Sequence, residues 1–204
     1  MKIAVLGAGN IGRTLGLKWA AKGHEVIFGV RDVNAPKVKA ILSQAGEHAS
    51  AASVESAVST GEVVVFAIPG RVMDETVGLI SAQLAGKIVI DATNNVGAAV
   101  LNNLSAFITH SADVQYFRAF HSLGWENFDN PMVGGMPVDL FYCGDSGEAQ
   151  TAVDGLIADI GLRPIYLGGR EQLTAADGLT RLWFALVMGQ GHSRRLVFKM
   201  LEDK

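Results

Sequence analysis

The feature that most constrains this chain is a glycine spacing set between a strand and a helix at its amino end. Lys2-Ile3-Ala4-Val5-Leu6 is a short apolar run with β-branched residues, the pattern of a buried strand. Gly7-Ala8-Gly9-Asn10-Ile11-Gly12 follows at once, and a helical stretch then runs to Lys22, with Gly23 placed to end it. Glu25-Val26-Ile27-Phe28 reads as a second strand. Strand, G-x-G-x-x-G, helix, strand is the βαβ unit that binds a dinucleotide pyrophosphate. In it Gly7 permits the tight turn, Gly9 lets phosphate approach the backbone, and Gly12 lets the helix lie close on the sheet. Gly12, Gly16 and Ala20 form a small-residue stripe expected to face the first strand. The helix N-terminus, at Asn10 and Ile11, offers N–H groups and a partial positive charge to the phosphates.

The end of the second strand selects between dinucleotides. An acidic residue there holds the ribose hydroxyls of NAD, and an arginine accommodates the 2′-phosphate of NADP. The chain reads Gly29-Val30-Arg31-Asp32. Val30 offers no hydrogen bond, while Arg31 offers a planar fork suited to phosphate. Asp32 either pairs with Arg31 or reaches the ribose. The expectation is NADP, held at Arg31.

The rest of the chain continues the alternation. Helices are expected over 36–45, 53–59 and 71–84, with strands over 48–51, 62–68 and 87–90. In a doubly wound sheet the loop after the 62–68 strand lies over the cofactor, so Ile68, Pro69 and Gly70 become candidate cofactor contacts. Asp91-Ala92-Thr93-Asn94-Asn95 follows the next strand. A contact from Asn94 to the nicotinamide ribose and a simple turn cap both fit that cluster. Further on, 102–112 reads as a short helix, 114–120 as a strand ahead of His121-Ser122-Leu123, and 129–137 as a loop. The 138–143 strand leads to a helix capped by Ser146 and ended by Gly161, and 162–167 is a last strand. Residues 170–201 read as mostly helical, broken at Gly189 and Gly191, with a wide apolar face.

The fold class is therefore α/β: a Rossmann-type doubly wound, mostly parallel sheet with a small helical C-terminal extension. Residues 1–168 form the dinucleotide-binding domain, and 169–204 a helical cap or oligomerisation segment. With 204 residues, 49% hydrophobic, there is enough chain for one such core. A net charge of −3 without a basic block argues against nucleic acid. Cys143 is the single cysteine and the histidines are scattered, so neither a disulfide nor a metal site is expected. No run reaches membrane-span length and no signal peptide precedes the first strand, so the expected compartment is the cytoplasm.

With these segments laid out, the chain resembles the NADP-dependent oxidoreductases that exchange hydride with the deazaflavin coenzyme F420. That family is related to the cytosolic reductase domains of transmembrane ferric reductases. The resemblance lies in Gly7 to Gly12, Gly29-Val30-Arg31, Ala67-Ile68-Pro69, Ala119-Phe120-His121-Ser122, Tyr142-Cys143-Gly144-Asp145 and Leu179-Thr180. Three positions depart from the family pattern: Val30 and Ala8 stand where Ser or Thr is usual, and Gly178 stands where the last helix usually carries Ser ahead of Leu179-Thr180. The resemblance implies NADP as cofactor and a small-molecule hydride acceptor, either coenzyme F420 or FMN/FAD. It implies that His121, Leu123 and Thr180 line the acceptor pocket, with His121 and Thr180 in catalytic roles, and that the last helix forms a homodimer.

Two other readings fit the same residues. One is an NADP-dependent reductase of a small carbonyl or imine, which needs a proton donor such as Lys or Tyr. The chain has no lysine between Lys87 and Lys199, leaving Tyr116, Tyr142 and Tyr166 as donors. The other is a non-catalytic NADP-binding redox sensor whose last helix meets a protein partner.

Overall fold

The computed structural model describes residues 1–110 and 113–203. Six strands set the frame: β1 (Lys2–Leu6), β2 (Glu25–Gly29), β3 (Ala49–Ala52), β4 (Val63–Phe66), β5 (Ile88–Asp91) and β6 (Gln115–Arg118). All six run parallel in the order β3-β2-β1-β4-β5-β6. This is the double winding expected from the sequence, with a crevice where the order reverses between β1 and β4. β1 and β4 are buried on both faces, which is why they read as unbroken apolar runs.

Helices α1 (Asn10–Ala21), α2 (Pro36–Ala45), α3 (Val54–Thr60), α4 (Met73–Leu84) and α5 (Leu104–His110) connect these strands. Two apolar clusters result, one holding Trp19 and Phe28 and the other Phe66 and Phe107. The small-residue stripe of α1 does not simply face β1. A Cβ on Gly12 would stand 2.1 Å from Gly7 O, and one on Gly16 would enter the Phe28 ring of β2 at 2.4 Å. The helix lies across the β1–β2 seam, so the first glycine meets the turn and the second meets the neighbouring strand. The helix expected over 102–112 appears as α5; positions 111 and 112 lie outside the described residues.

After β6 the chain departs from the expected order. The 129–137 stretch follows a short helix α6 (Glu126–Asp129). It holds a small hairpin of β7 (Met132–Val133) and β8 (Met136–Pro137), its turn made by Gly134 and Gly135 with positive φ. Next, β9 (Asp139–Gly144) pairs antiparallel to β6, and β10 (Arg163–Tyr166) adds parallel to β9. Between them α7 (Glu148–Ile160) starts from Gly147 at its N-cap, without a side-chain bond from Ser146. Gly147 has φ 91°, which reaims the chain before Ser146 can reach the helix.

The last helix, α8 (Leu173–Phe184), ends in a wider turn over Ala185–Gly189. Residues 190–203 are irregular rather than helical. Tertiary bonds account for this. Trp183 donates to Leu196 O, Arg195 to the carbonyls of Glu126 and Met132, and Lys199 and the Met200 N–H to the Asp139 carboxylate. Those partners are spread over α6, β7 and the start of β9, a path no helix of this length can follow.

Candidate active site

The glycine turn lies at the carboxyl end of β1. Gly7 takes φ 101°, and a Cβ there would sit 2.7 Å from Ala67 O. Its N–H donates to Gly29 O at 3.1 Å and the Ala67 N–H to Leu6 O at 2.9 Å, which joins the turn to the ends of β2 and β4. Gly9 is the N-cap of α1, with no side-chain cap bond and no acidic residue in the first turn. The helix thus leaves its first N–H groups, at Asn10 and Ile11, to an outside acceptor. A Cβ on Gly9 would meet nothing within 4 Å, so this backbone borders open space. The turn fits a pyrophosphate.

Arg31 is exposed just beyond β2 and has no ion-pair partner among the described residues. Asp32 does not pair with it. The Asp32 carboxylate instead accepts from the Asn34 N–H at 2.9 Å, a local turn bond. The guanidinium is therefore uncommitted.

Of the loop after β4, Ile68 packs under Gly7, with Cγ2 3.1 Å from where a Gly7 Cβ would stand. Gly70 is buried, and a Cβ on it would lie 2.4 Å from Asn95 Oδ1 and 2.7 Å from Asn94 O. It seats this loop against the loop after β5. Asn94 is fully engaged: its amide donates to His121 O at 2.9 Å and its Oδ1 accepts from Arg118 at 2.6 Å.

Those bonds belong to a buried charged network that the sequence did not disclose. Arg118, at the end of β6, is wholly buried. Its Nε donates to Asp177 Oδ1 at 3.0 Å, and Nη1 lies 3.5 Å from Asp91 Oδ1 and bonds the Thr93 carbonyl. Asp91 also accepts from Tyr116 OH at 2.8 Å, Thr93 Oγ1 at 2.6 Å and the Asn103 N–H at 3.0 Å. Burial, then the Asp91 charge, pushes the Tyr116 phenol well above its ordinary range. Asp177 accepts twice from Asn102. One guanidinium thus binds the ends of β5 and β6 to α8.

His121 follows this network. Phe120 before it has φ 60°, the left-handed region that a bulky residue rarely occupies. Its ring is held edge-on between Trp19 at 5.8 Å and Phe128 at 5.6 Å, packing that fixes the strained turn. The turn sends His121 away from the strand direction. Its Nδ1 is 2.8 Å from Thr180 Oγ1, and its Nε2 is buried without a partner. Burial, then the nearby Arg118 charge, holds the imidazole well below its usual range, so it is neutral near pH 7.

His121 lines a cavity of about 170 Å³ with Ile11, Asn94 and Leu123. Trp125, Trp183 and Phe184 supply its aromatic wall, and Met188 and Arg194 complete it. The structure thus brings the end of the glycine turn, Asn94, His121 and Leu123 together at one cavity. Thr180 is not on the wall. It is wholly buried and reaches the cavity only through His121, because α8 turns this position inward. Trp125, Trp183 and Phe184 escaped the sequence reading; their signal was aromatic residues beside the His121 segment and on the apolar face of the last helix.

This fold and glycine turn define a dinucleotide-binding protein of the Rossmann class. The family model described as NADP oxidoreductase, coenzyme F420-dependent, matches residues 2–95. The F420-dependent NADP reductase of Methanothermobacter thermautotrophicus is 34% identical over 202 residues, covering 89% of this chain and 87% of that protein. Metalloreductase STEAP3 of Rattus norvegicus is 29% identical over 175 residues, 82% of this chain and 34% of that longer protein. A solved chain from Arthrobacter sp. FB24 shares the fold, with a TM-score of 0.82 at 24% identity, covering 99% of this chain and 100% of its own. The chain belongs to the family of coenzyme F420-dependent NADP oxidoreductases and is an NADP-dependent oxidoreductase.

Proposed function

We propose that this enzyme transfers hydride between NADP(H) and coenzyme F420 at the cavity between the glycine turn and the last helix. One observation carries this reading. The cavity is walled by Trp125, Trp183 and Phe184 beside a neutral histidine, and its lining holds neither lysine nor tyrosine. Flat aromatic walls suit a flat ring system such as a deazaflavin or flavin. The three tyrosines are committed elsewhere: Tyr116 donates to Asp91, Tyr142 to Asp154 and Tyr166 to Gly144 O. The lysine or tyrosine donor expected for carbonyl or imine reduction is therefore missing from the described lining.

In this reading Gly7, Gly9, Asn10, Ile11 and Gly12 hold the pyrophosphate, Arg31 the 2′-phosphate, and Ile68, Pro69 and Gly70 set the loop above it. Bound NADPH supplies the hydride. The protein supplies alignment and exclusion of water. His121 hydrogen-bonds the acceptor through Nε2, the ring atom left without a partner, while Thr180 fixes the imidazole from behind. Asn94 positions His121 through its carbonyl. Residues 1–168 carry the cofactor, and the segment from 169 onward supplies the opposite wall.

A homodimer belongs to this reading. Val96, Leu182 and Met188 are 76%, 46% and 60% exposed around α8 and the loop beside it, a surface that a second copy would cover. Light scattering tests the dimer. The function is tested by mixing the protein with NADPH or NADH and F420, FMN or FAD. The reading expects NADPH-selective bleaching of F420. NADPH binding with no turnover on any of these acceptors overturns it.

A further inference from the structure

We propose that Arg194 selects acceptors carrying a negative charge, an inference that deepens the function just proposed and rests on the same cavity. Arg194 is the single charged residue in the described lining. The other titratable group there, His121, is neutral, and behind the wall Arg118 faces two carboxylates, Asp91 and Asp177. Without Arg194 the lining is uncharged, the Glu126 carboxylate beside it is left unpaired, and the network behind is formally negative, a poor site for an anion.

Arg194 is held but not used up. Its Nε is 2.5 Å from Glu126 Oε1, and its guanidinium lies 5.5 Å from the centre of the Trp183 ring. Pairing through Nε alone leaves both Nη groups without a partner among the described residues, and 45% of the side chain is exposed. Glu126 Oε2 is buried and has no partner among the described residues, so the Arg194–Glu126 contact is a single bond through Nε rather than a two-bond fork. The fork therefore rests on one cavity wall with its Nη1–Nη2 edge free to bind an anion through two bonds. Backbone bonds fix the segment beneath it: Asn127 donates to Arg194 O at 3.1 Å, and the Trp183 indole to Leu196 O at 3.1 Å.

The charge it meets belongs either to the acceptor ring, as an ionised ring hydroxyl, or to a phosphate on the acceptor's side chain. Equilibrium binding separates these without turnover. The full chain, saturated with NADP⁺, is titrated with F420, its phosphate-free deazaflavin riboside, FMN and riboflavin, followed by fluorescence. Arg194→Gln is expected to weaken F420 about tenfold or more and to leave riboflavin within about twofold. Loss shared by the deazaflavin riboside assigns the contact to the ring anion. Loss shared by FMN but not by the riboside assigns it to phosphate. Arg194→Lys is expected to recover most of the F420 affinity, and a thermal melt checks the fold of both variants.

Equal weakening of all four ligands, or of none, overturns the inference and leaves Arg194 as a strut for the terminal segment. If the wild type shows charge-selective binding yet transfers no hydride, the proposed function fails and this inference stands. If F420 turns over but Arg194→Gln does not discriminate by charge, the reverse holds. Failure of the wild type to bind any of the four overturns both.

Discussion

Arg118 Nε donates to Asp177 Oδ1 across 3.0 Å, joining the end of β6 to α8 at a site where both side chains are buried. Asp91 closes the same guanidinium from the other side. Removing the cation leaves two buried carboxylates without a counter-charge, held only by neutral donors from Tyr116, Thr93, Asn103 and Asn102. Arg118→Met is therefore expected to cost about 3–5 kcal/mol of stability, read from urea unfolding. A loss below about 1 kcal/mol would mean that water or protonation replaces the arginine.

His121 gives a pH dependence with a defined sign. Burial, reinforced by Arg118, depresses its folded pKa, while in the unfolded chain it titrates near about 6.5. Below that pH the unfolded state takes up a proton that the native state refuses. The contribution to stability is full above about pH 6.5 and is lost as pH falls toward the folded value, at up to about 1.4 kcal/mol per pH unit. Unfolding free energy between pH 7.5 and 5 should fall more steeply in the wild type than in His121→Gln. Parallel curves would contradict a buried neutral imidazole.

Gly9 and Gly12 separate binding from folding. A Cβ on Gly9 meets nothing within 4 Å, whereas one on Gly12 meets Gly7 O at 2.1 Å. Gly9→Ala is expected to hold wild-type stability within about 0.5 kcal/mol but to weaken NADPH binding about tenfold or more, since its methyl occupies the phosphate's approach. Gly12→Ala is expected to lose about 1–3 kcal/mol of stability, because the clash outweighs the helix propensity gained. Calorimetric titration and thermal melts of the pair check both; the opposite assignment would mean that the pyrophosphate lies elsewhere.

These glycines were legible because their spacing, the flanking strands and the helix all demand one local geometry. So was the six-strand parallel core, since strands buried on both faces read as unbroken apolar runs. The direction of β9 was not legible, because Leu140-Phe141-Tyr142-Cys143 carries no sign of parallel or antiparallel pairing. Arg118 was missed because a charged residue ending a strand reads as a surface position. Its burial depends on Asp91 and Asp177, which are distant in sequence. The terminal segment read as helical because Arg194 to Leu201 is rich in helix formers, but hydrogen bonds to Glu126 and Asp139 outweigh that local preference. Thr180 was assigned to the pocket by the family resemblance, which does not reveal which way the helix face turns; here it is buried behind His121.

Arg31 is the proposed determinant of cofactor choice. It is exposed, and the neighbouring Asp32 is bonded to its own turn. A charge-assisted bond to the 2′-phosphate contributes about 1.5–3 kcal/mol. Arg31→Ala should then raise KM for NADPH roughly ten- to hundredfold and change KM for NADH by no more than about twofold. Equal effects on the two would remove Arg31 from the phosphate site.

The proposed reaction is direct hydride transfer across the cavity between Ile11 and the last helix. The most direct test is a single turnover of F420 with NADPH deuterated at either face of the nicotinamide C4, followed by mass spectrometry of the reduced acceptor. With direct transfer, deuterium from one of the two faces appears in the reduced F420 without dilution by solvent. Reduced acceptor that carries no deuterium from either face would contradict it.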